Sequence, residues 1–214
     1  MKLLYYTGWL TFRTISKVIF RIRISGKENI PKSGGFILAS NHISYYDPPL
    51  VGSWSTRQMY FFAKAELFKN KLFGAIIRRT NAIPVRRGVI DRQAIELAAA
   101  AIERGYGLVV FPEGTRARDG NFLKPKAGLG MLALRTGCPI VPAYVSGADR
   151  LKSCFWGQAR LSITFGKMLE SSWIDTFTQS KEGYEAISRA VMERIAGIRA
   201  ESELHARTKQ VSGQ

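Results

Sequence analysis

The stretch GFILASNHISYYDPPL, residues 35–50, carries the clearest structural pattern of the chain. It begins with an apolar run typical of a buried strand, continues with the polar pair Asn41 and His42, and reaches Asp47 just before two prolines. Because aspartate followed by proline is typical of a helix start, the pattern predicts a strand, a loop and a helix with Asp47 as its N-cap. Such units build α/β domains, in which ligands bind at the carboxyl ends of the strands.

The same alternation of short apolar runs and longer helical stretches continues on both sides of this unit. We expect strands at Gly35–Ala39, Met59–Ala63, Asn81–Val85, Leu108–Phe111, Ile140–Val145 and Arg160–Phe165. We expect helices at Pro48–Ser55, Lys71–Arg79, Ile90–Arg104, Gly128–Thr136 and Lys181–Ala206. The sequence therefore predicts an α/β fold, a single domain with a mixed, largely parallel sheet flanked by helices.

The N-terminal segment, residues 1–24, is predicted to form an amphipathic helix. Wound at about 100° per residue, its basic residues share one arc, and a set of apolar side chains lies across from them. The basic set is Lys2, Arg13, Lys17 and Arg21, and the apolar set is Leu4, Phe12, Ile15, Ile19 and Ile22. The charges interrupt any run long enough to cross a bilayer. The helix is expected either to lie in a membrane interface or to pack on the protein's own core with a solvated basic face.

Length and composition indicate one core. The chain has 214 residues, of which 46% are apolar, and no linker rich in Pro, Gly or Ser divides it. We predict a main domain over residues 25–206 and a flexible polar tail over residues 207–214. Cys138 and Cys154 show no metal-binding spacing and lie among apolar neighbours, which is typical of buried free thiols.

The charge balance is strongly basic. The chain has 32 Lys and Arg against 16 Asp and Glu, a formal net charge of +16. This excess predicts an anionic partner, and either nucleic acid or an anionic membrane surface would be attracted to it. A nucleic-acid-binding protein is the weaker alternative, because the chain shows neither an RNA-binding signature nor a helix-turn-helix pattern.

His42 and Asp47 form a candidate catalytic pair. Residues five apart on one straight helix point about 140° away from each other, so the two can meet only if a loop lies between them. A carboxylate that orients a histidine is the base half of a catalytic triad. The sequence has no Gly-x-Ser-x-Gly motif and no cysteine in a charged turn. The pair therefore indicates a general base that activates a hydroxyl of the substrate.

Basic residues follow several of the predicted strands. The stretch LVVFPEGTRARDG, residues 108–120, ends a strand in a polar glycine turn that carries Arg116, and arginine offers planar donors that suit phosphate. Lys64 ends the run FFAK, and Arg86 and Arg87 follow NAIPV. A phosphate site and ordinary solvated charges are both open readings of these residues.

Taken together, these motifs resemble the glycerolipid acyltransferases of the 1-acyl-sn-glycerol-3-phosphate acyltransferase type. The family's first block, Asn-His followed by four residues and Asp, is matched by Asn41, His42 and Asp47. Its block Phe-Pro-Glu-Gly-Thr-Arg is matched letter for letter by residues 111–116. The resemblance extends over residues 36–150 and preserves the order of the family's blocks.

The two remaining blocks match less closely. The family's apolar strand ending in arginine is matched by the strand that ends in Arg86. Its Val-Pro in an apolar strand is matched by Val141-Pro142. The segment FFAKAEL also resembles the family, which by resemblance makes Lys64 a phosphate ligand beside Arg116. The family often has serine after the arginine of the Phe-Pro-Glu-Gly-Thr-Arg block, where this chain has Ala117.

The resemblance implies transfer of a fatty acyl group from acyl-CoA or acyl carrier protein to the sn-2 hydroxyl of lysophosphatidic acid, which gives phosphatidic acid. It implies that His42 removes the hydroxyl proton and that Asp47 orients the imidazole, without an acyl-enzyme. The implied phosphate ligands are Lys64, Arg86 and Arg116, and the implied pocket residues are Asn41, Glu113, Gly114 and Thr115. No metal or other cofactor is expected, because a thiolate leaves readily and the sequence has no metal-ligand cluster.

The acceptor has alternatives with the same chemistry: glycerol-3-phosphate, another lysophospholipid, or a lyso-aminolipid. The expected partners are the lipids of an anionic bilayer and the acyl donor. The expected location is peripheral or monotopic, on the cytoplasmic face of a membrane.

Overall fold

A seven-stranded sheet forms the centre of the protein in the computed structural model, which describes residues 2–86, 88, 89 and 91–211. The strands are β1 (Arg23–Ser25), β2 (Phe36–Ser40), β3 (Met59–Lys64), β4 (Ala82–Val85), β5 (Gly107–Val110), β6 (Ile140–Ser146) and β7 (Ser162–Phe165). Their order is β1-β7-β6-β2-β5-β3-β4, and every neighbouring pair is parallel except β6 and β7. The predicted mixed, largely parallel sheet is therefore confirmed.

Helices cover both faces of this sheet. They are α1 (Lys2–Val18), α2 (Asp47–Trp54), α3 (Lys71–Arg79), α4 (Arg92–Glu103), α5 (Gly128–Thr136), α6 (Leu151–Phe155), α7 (Ser171–Ile174) and α8 (Lys181–Val211). The predicted bounds of α3 and α5 are confirmed. Helix α8 continues beyond the predicted end at residue 206, and the last part of the predicted tail, residues 212–214, lies outside the described residues, as does Ile90 before α4.

Strand β2 lies at the middle of the sheet, and every one of its residues is buried. Its side chains alternate between the two faces. Ile37 and Ala39 pack in the core that α4, α5 and α8 cover, whereas Phe36 and Leu38 pack in the core that α2 covers. Because β5 and β6 run parallel to β2 on either side, the carboxyl ends of all three strands meet at one edge.

Strand β1 is the element that the sequence analysis missed. Residues 1–24 were expected to form one amphipathic helix, but the helix ends at Val18 and Arg21 has a positive φ of 47°. The alternating arginine and isoleucine of residues 21–24 fit an edge strand, in which one side of the chain is buried, and Ile22 enters the core. The chain then pairs with β7 at the edge of the sheet.

Helix α1 packs firmly on the domain. The Tyr5 hydroxyl accepts a hydrogen bond of 2.9 Å from the Met59 backbone N–H, and the Trp54 indole donates one of 2.8 Å to the Ser16 hydroxyl. The Arg13 guanidinium lies 4.8 Å from the centre of the Trp54 ring. The basic arc therefore does not simply face water, because one of its members stacks against the domain.

The opposite side of α1 exposes apolar side chains. Leu3, Leu10 and Val18 are 78%, 58% and 69% exposed, respectively. The helix therefore packs on the core, as one of the two alternatives predicted, and its other side presents apolar side chains to solvent. Across the described residues, no helix combines the length and the apolar character that crossing a bilayer requires.

Candidate active site

The loop that follows β2 brings His42 and Asp47 together. The His42 Nδ1 atom lies 2.8 Å from the Asp47 Oδ2 atom. Asp47 is completely buried, and His42 keeps a small exposed fraction of 7%. A carboxylate at Nδ1 holds the proton on that nitrogen, so the other ring nitrogen, Nε2, is left as the proton acceptor. This is the geometry of a general base with its orienting group.

Asp47 stabilises the loop and does not cap the helix. Its Oδ2 atom also accepts hydrogen bonds of 2.7 Å from the backbone N–H groups of Ile43 and Ser44. The predicted N-cap role of Asp47 is therefore wrong, since Tyr46 occupies the N-cap position of α2 and no side chain caps it. The chain coils back around the carboxylate, which explains how residues five apart meet.

The second oxygen of Asp47, Oδ1, is buried without a hydrogen-bond partner among the described residues. A buried carboxylate with one unsatisfied oxygen carries negative charge that its surroundings compensate incompletely. A positive charge on the neighbouring imidazole would compensate it. The buried carboxylate is therefore placed to face a positive charge on the imidazole.

Glu113 links the histidine loop to the strand turn beyond β5. Its Oε1 atom accepts a 2.9 Å hydrogen bond from the His42 backbone N–H, and its Oε2 atom accepts one of 2.8 Å from the Leu123 N–H. The Ala117 N–H donates to the His42 carbonyl oxygen at 2.8 Å. The turn at residues 113–117 therefore holds the backbone of His42 on both sides.

Asn41 and Phe111 complete the support of His42. The Asn41 carboxamide makes two hydrogen bonds with the Val145 backbone, accepting from the N–H at 2.7 Å and donating to the carbonyl at 3.0 Å. The Phe111 ring stacks on the imidazole with centroids 4.1 Å apart. Asn41 and Glu113 are each 1% exposed, so both buried side chains help to position His42.

Replacing Glu113 with glutamine should lower the melting temperature by about 2–12 °C. The amide NH₂ would face one of the two backbone N–H groups, and an unpaired buried donor costs about 1–3 kcal/mol, which is about 2–4 °C per kcal/mol in a domain of this size. Thermal unfolding followed by circular dichroism measures the shift. The matched control is Glu103→Gln, because Glu103 is exposed.

The same variant tests the protonation of Glu113. Burial raises the pKa of the Glu113 carboxyl, against the lowering effect of the N–H groups of Leu123 and His42. The folded protein therefore binds this proton more tightly than the unfolded chain, and the wild type loses stability as pH rises from about 4 through the raised pKa. The Glu113→Gln variant lacks this loss, so the difference in melting temperature between the wild type and the variant should narrow with rising pH. A difference that widens with rising pH would contradict a raised pKa of the Glu113 carboxyl.

The turn after β5 presents Arg116. Gly114, at a φ of 69°, allows the sharp turn, and its N–H donates to the Phe111 carbonyl at 2.9 Å. The Arg116 guanidinium carbon lies 3.4 Å from the centre of the Tyr45 ring. Within the described part of the chain this guanidinium forms no ion pair with a carboxylate, and the residue is half-buried. Thr115 and Gly114 are exposed at the crest of the turn.

Lys64 and Arg86, the other predicted phosphate ligands, have carboxylate partners. The Lys64 ammonium is 3.5 Å from the Glu66 carboxylate. The Arg86 Nε atom is 3.2 Å from the carboxylate of Asp91, which also caps α4. Each of these two cations therefore has an ion pair already, and Arg87 lies outside the described residues.

Lys126 is a basic residue near this turn that the sequence analysis did not single out. Its backbone N–H donates to the Pro112 carbonyl at 2.8 Å. A β-carbon placed at Gly114 would lie 3.0 Å from the Lys126 Cδ atom and 3.4 Å from its Nζ atom. The lysine stem therefore lies along the glycine turn. Nothing in the local sequence predicts that residues 121–126 fold back onto Gly114.

The two cysteines do not provide a nucleophile for this base. Cys138 and Cys154 are buried free thiols, as predicted. Burial raises the pKa of both thiols, which keeps them protonated at neutral pH. Among the described side chains, the imidazole of His42 hydrogen-bonds to Asp47 alone. The arrangement suits the activation of a hydroxyl that arrives with a substrate.

Comparison with known proteins identifies relatives along most of the chain. A model of the acyltransferase family matches residues 21–146. The 1-acyl-sn-glycerol-3-phosphate acyltransferase of Bacillus subtilis is 29% identical over 175 residues, which are 81% of this chain and 86% of that protein. The lyso-ornithine lipid O-acyltransferase of Pseudomonas aeruginosa is 28% identical over 168 residues, which are 76% of this chain and 63% of that protein.

A solved structure shows the same architecture. The crystal structure of the 1-acyl-sn-glycerophosphate (LPA) acyltransferase PlsC from Thermotoga maritima matches with a TM-score of 0.71 and 28% identity, over 96% of this chain and 79% of that chain. The family match covers more than half of the present chain and includes the loop of His42 and Asp47 and the turn that bears Arg116. The chain therefore belongs to the acyltransferase family, among the relatives of the 1-acyl-sn-glycerol-3-phosphate acyltransferases.

Proposed function

We propose that this acyltransferase transfers a fatty acyl group to the sn-2 hydroxyl of lysophosphatidic acid and so forms phosphatidic acid. The observation that carries the proposal is the 2.8 Å contact between His42 and Asp47, in a loop held by the same turn that presents Arg116. A proton acceptor and a cation without a carboxylate partner thus lie on connected segments. An acceptor with a hydroxyl and a phosphate monoester has the complementary chemistry.

The proposed reaction proceeds in two stages without a covalent enzyme intermediate. His42 Nε2 removes the proton of the acceptor hydroxyl as its oxygen attacks the thioester carbonyl carbon, and a new C–O bond forms. The tetrahedral intermediate then collapses, the C–S bond breaks, and the thiolate leaves with the proton that the imidazolium returns. Asp47 stabilises the imidazolium between the two stages. The balance is one ester formed and one thiol released.

Arg116 is the proposed phosphate ligand of the acceptor. Its planar guanidinium can donate two parallel hydrogen bonds to a phosphate. The Tyr45 ring at 3.4 Å holds the guanidinium in place while its edges stay available. No metal is required in this scheme, since the phosphate charge is met by protein cations and the thiolate is a good leaving group.

The proposed acyl donor is acyl-CoA or acyl carrier protein. The formal net charge of +16 would attract the phosphates of CoA and the acidic surface of a carrier protein alike. Because both donors occur in the cytoplasm, the proposed location of the enzyme is the cytoplasmic face of a membrane.

The test is thiol release from palmitoyl-CoA by the purified protein in detergent micelles. Lysophosphatidic acid, glycerol-3-phosphate and lysophosphatidylcholine serve as parallel acceptors, and acyl carrier protein replaces CoA in a second series. Release that depends on lysophosphatidic acid is expected. If neither donor gives release with that acceptor, the proposed substrate is wrong.

A second candidate acceptor is a lyso-aminolipid. It is favoured by the similarity to the lyso-ornithine lipid O-acyltransferase of Pseudomonas aeruginosa. Such an acceptor has no phosphate, so the cation Arg116 would have no obvious partner. Lyso-ornithine lipid as a fourth acceptor in the same assay separates the two candidates.

We also propose that α1 attaches the enzyme to an anionic membrane through its outer face. The triple variant Leu3→Ser, Leu10→Ser and Val18→Ser should bind anionic vesicles about 100-fold more weakly than the wild type. Each of these apolar side chains is expected to contribute on the order of 1 kcal/mol when it is partly buried in the membrane interface. Sedimentation with sucrose-loaded vesicles measures the affinity. These side chains are exposed, so the substitutions leave the inner contacts of α1 in place.

The matched control for the membrane prediction is the double variant Leu97→Ser and Leu204→Ser. Both leucines are exposed but lie on α4 and α8, away from α1. The control should bind vesicles like the wild type. Equal binding by the α1 variant and the wild type would show that α1 is not the membrane contact.

A further inference from the structure

We propose that α3 is a second membrane contact of the protein, with Leu72 and Ile76 in the interface of an anionic bilayer and the basic residues around them against the lipid headgroups. This inference rests on the proposed attachment through α1, and it deepens that proposal by naming a further surface. The partner is a bilayer whose headgroups carry negative charge.

The packing of α3 decides which of its sides faces outward. Gly74 is buried, and a β-carbon at this position would lie 2.8 Å from the Phe68 carbonyl oxygen. The helix therefore lies against the segment before it through Gly74. Leu72, Ile76 and Arg79 follow each other at spacings of four and three residues, so they form one stripe on the opposite side of the helix. Leu72 is 75% exposed and Ile76 is 42% exposed.

Helix α3 lies beside α1. Helix α1 contacts both α2 and α3, so these three helices lie on the same face of the sheet. The outer side of α1 exposes Leu3, Leu10 and Val18, and the stripe of α3 is exposed on the neighbouring helix. A bilayer that touches the outer side of α1 therefore lies within reach of α3.

The helices α4 and α8, which cover the opposite face of the sheet, expose far less apolar surface. In the described part of the chain they carry one exposed large apolar side chain each, Leu97 and Leu204. The much shorter α3 carries three, Leu72, Phe73 and Ile76. Exposed apolar side chains that cluster in this way mark sites of protein or membrane contact. The cluster on α3 adds to that of α1 on one face of the protein.

The charge around α3 favours an anionic surface. Residues 67–90 contain six basic residues and no aspartate or glutamate. Four of the basic residues are exposed at the two ends of α3, namely Lys69, Lys71, Arg78 and Arg79. Lysine and arginine next to a bilayer attract anionic lipid headgroups. An apolar stripe with basic residues at both ends is the pattern of a helix that lies in a membrane interface.

Contact through two helices would also orient the domain on the membrane. A protein held by α1 alone can roll about the axis of that helix, and a contact through α3 removes this freedom. Helix α3 follows β3, which runs parallel to β5, so the carboxyl end of β3 lies at the same edge of the sheet as the loop of His42. The second contact therefore determines how this edge is presented to lipids.

The first experiment measures binding of the full chain to sucrose-loaded vesicles of phosphatidylglycerol and phosphatidylcholine. The double variant Leu72→Gln and Ile76→Gln should bind about tenfold more weakly than the wild type, because two apolar side chains no longer enter the interface. Glutamine is a good helix former, so α3 should stay folded, which thermal unfolding checks. The matched control, Leu97→Gln with Leu204→Gln, should bind like the wild type. Unchanged binding by the α3 variant would overturn the proposal.

A second pair of variants tests the charges around α3. Lys69→Gln with Lys71→Gln should weaken binding to the anionic vesicles about tenfold, because two cations leave the headgroup region. Its control is Arg92→Gln with Arg104→Gln, which removes two exposed cations at the ends of α4. At physiological salt, charges are screened beyond about 8 Å, so the control should bind like the wild type. Equal losses in the two variants would mean that the net charge, and not α3, attracts the membrane.

A second measurement locates the contact directly. The variant Leu72→Cys can carry an environment-sensitive nitrobenzoxadiazole label, because the native thiols of Cys138 and Cys154 are buried. The emission of this label should shift to shorter wavelength when vesicles are added, and the same label on Leu97→Cys should not shift. A label at position 72 that stays unshifted on vesicle-bound protein would contradict the contact. A shift caused by acidic acyl carrier protein and not by vesicles would assign α3 to the acyl donor and overturn the proposal.

These experiments separate the α3 contact from the other proposals. Vesicle binding requires no acyl transfer, so the result does not depend on which acceptor the enzyme uses. If the triple variant of α1 binds vesicles like the wild type while the double variant Leu72→Gln and Ile76→Gln does not, the attachment through α1 is wrong and the contact through α3 stands.

Discussion

The variant His42→Ala should transfer acyl groups with a kcat lowered by about 10³-fold. A positioned general base contributes about 10²- to 10⁴-fold to a proton transfer, and within the described residues no second group is placed to replace this imidazole. The KM for the acceptor should change little, because the proposed phosphate ligands do not involve His42. Thiol release from palmitoyl-CoA in the presence of lysophosphatidic acid measures both constants.

The fold of His42→Ala should persist. Residue 42 contributes only its backbone N–H and carbonyl to the hydrogen bonds with Glu113 and Ala117, so alanine keeps them. The side chain loses its stacking on Phe111, and a fall in melting temperature of a few degrees is expected. His205, the other histidine of the chain, is exposed on α8, and His205→Ala is the matched control with unchanged kcat. A His42→Ala protein that kept more than a tenth of the wild-type rate would rule out the base assignment.

The variant Asp47→Asn should lower kcat by about 10²- to 10³-fold. The amide oxygen can still accept the N–H groups of Ile43 and Ser44, so the loop keeps its shape, but the negative charge beside His42 is lost. An interaction between unit charges at about 4 Å contributes about 4 kcal/mol at the effective dielectric constant of a protein surface. The imidazolium formed during the reaction would therefore be much less stable. The same thiol-release assay measures the effect.

A second buried aspartate provides the control for Asp47→Asn. Asp91 also accepts backbone hydrogen bonds, from Arg86 and Ala94, but it caps α4 at the far side of the sheet. Asp91→Asn should change the melting temperature without a comparable change in kcat. Equal losses of kcat in the two variants would mean that both act through stability, and the role of Asp47 beside the base would be withdrawn.

The sequence predicted the sheet well because its strands are short apolar runs with distinct boundaries. The sequence did not predict β1, because a strand of three residues next to a helix is too short to show a clear hydrophobic alternation. The alternation of arginine and isoleucine at residues 21–24 was the available signal. Five helices were predicted at nearly their observed positions. The short helices α6 and α7 have too few turns to show a helical period.

The site was predictable only in part. The spacing of His42 and Asp47 is local, so their meeting depended on one loop and could be expected from the sequence. The role of Asp47 in that loop was missed, because the same Asp-Pro pattern also fits a helix cap. Glu113 and Lys126 could not be assigned, because their partners are set by how distant segments fold onto each other.

The support of His42 also has a consequence for the biosynthesis of the enzyme. Glu113 lies 71 positions after His42, from whose backbone N–H it accepts a hydrogen bond. Val145 lies 104 positions after Asn41, with which it exchanges hydrogen bonds. The chain leaves the ribosome N-terminus first, so His42 and Asp47 emerge long before Glu113 and Val145 have been synthesised. The loop of His42 is held from the sides of both β5 and β6 only after β6 has docked beside β2. The contact between His42 and Asp47 is therefore fully supported only after the chain has been synthesised through β6, which places completion of this site late in folding.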